Sequence, residues 1–165
     1  MNLKRVWRHI LMNQSQLKRC FPESVLRAIH DATARAEKTH SGEIRFVVEA
    51  ELEWGPLLTD QSPRQRAIDV FSQLRVWDTE RNNGVLIYVL LADRRVEIVA
   101  DRGIHRQVGD AGWRAICEVI QAEFKAGNFE TGAVKGLEAI SVHLAQHFPP
   151  LADDQNELSD QPVVM

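Results

Sequence analysis

Between Glu80 and Ile104 the chain reads ERNNGVLIYVLLADRRVEIVADRGI, and this stretch leaves few folds open. Val85 through Leu91 form an unbroken apolar run, which suits a strand covered on both faces rather than one wetted on one side. Ala92, Asp93, Arg94 and Arg95 supply a turn, after which Val96, Ile98 and Ala100 alternate with Glu97, Val99 and Asp101 as a second strand. An antiparallel hairpin brings the entrance of the first strand beside the exit of the second. Glu80, Asn82, Asn83, Gly84, Asp101, Arg102 and Gly103 then gather at one sheet end, the first place to look for a site.

The flanking periodicities say what covers that sheet. Leu3, Val6, Trp7, Ile10 and Leu11 recur at helical spacing among Lys4, Arg5, Arg8 and His9, so residues 1–20 read as a basic amphipathic segment. Such a helix either docks on the body or touches a membrane surface or partner. Gln14 to Arg19 reads as a polar connector. Val25, Leu26, Ile29, Ala32, Thr33 and Ala36 mark a helix ending near Lys38, and Ile44 to Leu52 a mostly apolar strand. Glu53 to Gln61 reads as loop. Ser62, Pro63 and Gln65 then start a helix, with the serine as cap, the proline in the first turn and the glutamine reaching back. Strand, helix and the strand at Val85 make a β-α-β unit with parallel strands. Asp110 is expected to cap a helix carrying Trp113, Ile116, Cys117, Ile120 and Phe124, stopped by Gly127, and a last helix ends at Pro149 and Pro150. The fold class is α/β: a three-layer α/β/α sandwich, Rossmann-like, with a small mixed sheet containing one β-hairpin.

With 165 residues, 44% of them hydrophobic, residues 21–150 can bury one core, while residues 151–165, acidic and without periodicity, read as a disordered tail. The net charge of −3 conceals five bases and no acid in residues 1–20, and four acids and no base in residues 151–165. A mildly acidic body argues against nucleic acid, which calls for a basic face. Two cysteines, Cys20 and Cys117, make no disulfide framework and favour a reduced, cytoplasmic setting. The N-terminus lacks the continuous apolar stretch of a secretory signal, and no window has the roughly 18 to 20 apolar residues of a membrane span.

Four pieces of sequence resemble the TPM domain family: Gly42-Glu43-Ile44, Asn83-Gly84-Val85-Leu86-Ile87, Asp93-Arg94-Arg95-Val96-Glu97-Ile98, and Phe124-Lys125-Ala126-Gly127-Asn128-Phe129 followed by Gly132. The resemblance spans roughly residues 22–148. It implies a Rossmann-like sandwich, a divalent metal, usually calcium, held by acidic loops at one sheet end, and a phosphatase activity ascribed to some members. Where the family commonly carries an acidic residue before Asn-Gly, this chain has Asn82.

Calcium takes six to eight oxygen ligands. Asp78, Glu80, Asp101 and Asp110 are the candidate metal ligands, and Asn82, Asn83, Arg102 and Arg106 the candidate ligand-binding residues, since arginines beside a helix start favour anions. The competing assignment is turn and cap duty for the same residues, with Arg81, Arg102 and Arg106 weakening a cation's field. Cys20 and Arg27 have the wrong spacing for a cysteine phosphate loop, Cys117 falls on a buried stripe, and no Gly-x-Gly-x-x-Gly or Gly-Lys-Ser fingerprint occurs. His143 and His147, four apart near a helix end, lack the glutamate of a zinc protease. The four tryptophans read as core or rim packing, with Trp54, beside Gly55 and Pro56, the one to watch as an exposed partner anchor. The leading expectation is a non-enzymatic module that binds a protein partner or weak ligand at the polar sheet end. The alternatives are a divalent-metal-dependent phosphatase-like hydrolase, and a peripheral membrane-surface adaptor working through the N-terminal segment.

Overall fold

The structure, a computed structural model, describes residues 3–151 and 156–165. Strands β1 (Ile44–Glu49), β2 (Val85–Leu90), β3 (Arg95–Ala100) and β4 (Val163–Val164) form one sheet in the order β3-β2-β1-β4. β1 and β2 run parallel with Ile44 opposite Val85, and β2 and β3 run antiparallel with Val85 opposite Ala100. Every residue of β2 is buried, as an unbroken apolar run requires of a strand with helices above and below.

Helices α2 (Gln14–Cys20), α3 (Glu23–Ala36), α6 (Arg102–Lys125) and α7 (Phe129–His147) cover one face, burying Ile29, Ile120, Leu137 and Ile140 against Phe46, Val48, Ile87 and Ile98. The other face carries α4 (Trp54–Leu58) and α5 (Pro63–Gln73), with Leu57, Val70 and Phe71 against Val47, Leu86 and Tyr88. The architecture is thus the expected three-layer sandwich. Helix α1 (Leu3–Leu11) stands by the hairpin turn, where Arg5 reaches Asp93. Two glycines explain a turn the sequence singles out. Gly127, at φ 87°, takes the left-handed position that ends α6, and a Cβ on Gly132 would stand 2.7 Å from the Phe124 ring. Ser62 caps α5 as expected by accepting the Gln65 amide at 3.1 Å, while the Gln65 side chain turns forward to Asp69 instead of back.

Several local expectations are corrected. Gln14 to Arg19 is helix rather than connector, because Asn13 caps it and Leu17, its one large apolar residue, is sunk in the core. The 53–61 loop contains α4. The first run of α6 is capped by Asp101, whose Oδ1 accepts the Arg102 amide at 2.6 Å; Asp110 stands at the start of the second run, after Gly109 leaves helical geometry at φ 69° and ψ 169°. The tail is ordered where it is described. The Glu43 carboxylate accepts the amides of Glu157 and Leu158, Arg45 donates to the Ser159 and Gln161 carbonyls, and Val163 and Val164 pair with Val47 and Val48. Asp153 and Asp154 lie outside the described residues.

Candidate functional site

The hairpin does what the sequence demands of it: the Asp101 amide donates to Gly84 O at 2.8 Å and the Gly103 amide to Asn82 O at 3.0 Å. Gly103 has to be glycine, since a Cβ there would stand 2.4 Å from Asn82 O. Asn83 and Asp101 are therefore neighbours at one pole, and both are buried. Asn83 Nδ2 donates to Ser41 O at 2.6 Å and its amide to Thr79 Oγ1 at 3.1 Å. Arg81 donates to Ser41 Oγ and lies over the Phe148 ring, and the Glu80 amide donates to the Glu157 carboxylate. Most polar groups at this pole thus serve one another.

The remaining candidates spread outward. Asp78, Glu80, Asn82, Arg102 and Arg106 are exposed, with Asn82 in the left-handed region at φ 54°. Asp110, past the kink, has an 82% exposed side chain 3.8 Å from His105 Nε2. Among the described residues, no three His, Cys, Asp or Glu side chains converge as a metal set. Two buried oxygens at this pole, Asn83 Oδ1 and Asp101 Oδ2, have no hydrogen-bond partner among the described residues. They are hard donors of the type calcium takes, one amide and one carboxylate, and would need other oxygens to complete a shell. Burial pushes the Cys117 thiol up to about 11 and raises that of Cys20 despite Arg19 beside it.

The opposite pole holds a denser polar network that sequence reasoning did not find. Asp93, in the hairpin turn, accepts from Arg5 Nε at 2.9 Å and from Arg8, while Arg5 also reaches Asp60 at 2.9 Å and Gln61 O at 2.6 Å. His9 Nδ1 accepts the Leu52 amide at 2.9 Å, so its proton sits on Nε2, 3.3 Å from Asp93 Oδ1. Burial lowers the His9 pKa and keeps the ring neutral. Beside it, Arg66 grips Glu49 through two hydrogen bonds and Tyr88 donates to the same carboxylate. Burial, then the Glu49 charge, raises the tyrosine's pKa.

That network seats α1 by its polar side. Arg5 and His9 are 9% and 2% exposed, whereas Leu3, Trp7 and Leu11 are 65%, 62% and 64% exposed, with Ile10 also open to solvent. Ile10 lines a groove of about 640 Å³ with Trp54, and Trp54 and Leu58 on α4 are exposed as well. Of the four tryptophans only Trp113 is core, and its ring meets His143 edge-on. Two residues carry the missed signal, Arg5 and His9 at helical spacing; their partner Asp93 lies 88 positions from Arg5 and has no local signature.

Residues 18–142 match the TPM domain. This chain belongs to the TPM domain family. Among solved structures, this TPM domain is similar to the BA42 protein of the psychrophilic bacterium Bizionia argentinensis, at 39% identity and TM-score 0.75, over 86% of this chain and 93% of that one. The N-terminal domain of a P. gingivalis protein, at 21% identity and TM-score 0.57 over 73% of this chain and 76% of that one, shares the fold. No curated protein matches the sequence. No helix among the described residues is long and apolar enough to cross a membrane.

Proposed function

We propose that this TPM domain is a binding module that attaches to anionic membrane surfaces through α1. The observation behind the reading is the reversed seating of that helix, Arg5 and His9 inward and the apolar stripe outward. A helix held by ion pairs can offer its apolar side to another phase without loosening the core. Tryptophan, leucine and isoleucine are the side chains that enter the headgroup boundary, and Lys4, Arg8, Lys18 and Arg19 add attraction to anionic lipid. Burying each large apolar side chain contributes roughly 1.5–3 kcal/mol, which suits reversible attachment. The pole at residues 78–83 and 101–110 suits a protein partner less, because its buried polar groups are largely occupied by one another.

Flotation with phosphatidylglycerol vesicles tests the proposal. The wild-type chain floats and does so less at high salt, while Trp7→Ser combined with Leu11→Ser stays at the bottom. Equal flotation of both, or equal binding to phosphatidylcholine, sinks it. A second reading, a calcium ion at Asn83 and Asp101, draws support from their two unpartnered oxygens. Millimolar calcium added to chelated protein then raises Tm by mass action, and an unchanged Tm dismisses the ion.

A further inference from the structure

At the hairpin-turn end of the sheet a cavity of about 630 Å³ opens between α2, the β2–β3 turn and the α6–α7 corner. Its size falls in the range of small-molecule sites, about 300–1,000 Å³. The inner wall is apolar. Phe124 and Phe129 stack with centroids 5.2 Å apart, both against the fully buried Phe21, and Cys20, Leu91 and Val96 continue the surface. The rim is the opposite: Arg19, Arg94, Arg95 and Lys125 line it and no acid does. Arg95 feels Glu97 further along β3, but Arg19, Arg94 and Lys125 are exposed and make no ion pair among the described residues. Arg94 is held in the left-handed region at φ 53°, a turn position where glycine or asparagine is the unstrained choice. A cation kept at a strained position over an apolar pocket calls for an anion with an apolar body.

We infer that this cavity binds a free long-chain carboxylate, its chain against Phe124 and Phe129 and its head between Arg94 and Lys125. The inference stands apart from the membrane reading, because it requires a monomeric ligand and no bilayer. Guanidinium and ammonium groups at such a rim hold a carboxylate by charge-assisted hydrogen bonds that a neutral head does not make.

The test is calorimetry with dodecanoate below its micellar concentration, with dodecanol and acetate as controls. Dodecanoate binds one to one, at least about tenfold more tightly than dodecanol, as one charge-assisted hydrogen bond implies, and acetate does not bind. Arg94→Gly relieves the turn, so Tm holds or rises; together with Lys125→Glu it weakens dodecanoate by roughly tenfold or more and leaves dodecanol as it was. Bound dodecanoate also slows alkylation of Cys20, read by mass spectrometry. Equal affinity for acid and alcohol, unaltered dodecanoate binding in the double variant, Cys20 alkylated at the same rate, or binding only when vesicles are present would each overturn the assignment.

Discussion

Replacing Asp93 with alanine removes the anchor of α1. Arg5 loses hydrogen bonds of 2.9 and 3.2 Å, and His9 and Arg8 lose the carboxylate they face, while Arg5 keeps Asp60 and Gln61 O. Breaking a buried ion pair costs about 3–5 kcal/mol; the bonds Arg5 retains place this case near the lower end, about 3 kcal/mol. A nine-residue helix does not persist in water unaided, so the loss appears as local opening of α1 while the core stays folded. About 3 kcal/mol corresponds to roughly a hundredfold faster amide exchange over residues 3–11, with the core amides of β2 unchanged. Acid acts in the same direction. Burial raises the Asp93 pKa, but the Arg5 hydrogen bond and charge outweigh it and leave the pKa below the ordinary carboxylate value. Its contribution is present above the unfolded carboxylate range and is lost as pH falls through the lowered value. His9, with its pKa lowered by burial, disfavours docking as pH falls below 6.5. Hydrogen exchange in Asp93→Ala within threefold of wild type at residues 3–11 would refute the ion-pair seating.

Gly103→Ala drives a Cβ toward the Asn82 carbonyl and lowers stability by about 1–3 kcal/mol, measured by urea unfolding. Leu17→Ala costs about 2–5 kcal/mol by the same assay, because residue 17 belongs to the main core rather than to a detachable arm. Glu37, whose carboxyl burial and then Asp160 push up to about 9, disfavours the folded chain increasingly as pH rises from 4.5 toward that value. Glu37→Gln therefore flattens the stability profile across that window, a change thermal melts at stepped pH would show.

What the chain made legible was what local pattern can encode. The apolar run of β2 announced burial on both faces, Ser62-Pro63 announced the start of α5, and the hairpin placed Asn83 near Asp101. Asp110 does stand where a helical run begins, just past the non-helical Gly109, but the run from Arg102 that Asp101 caps before it carries no apolar period to announce it. The tail misled because its order comes from Glu43, Arg45 and a two-residue strand, contacts over a hundred positions apart that leave no period. Helix α1 was legible as amphipathic, but amphipathicity does not say which side docks when Asp93 offers a buried charge. The basic rim of the hairpin cavity escaped for the same reason, its members coming from α2, the turn, β3 and α6.

Whether α1 presents its apolar stripe to anionic lipid is read by amide-resolved NMR with anionic bicelles carrying a spin-labelled lipid. Line broadening confined to residues 3–11 and 54–58 is the expected result. Broadening centred on residues 78–83 and 101–110, or none at all, would contradict it.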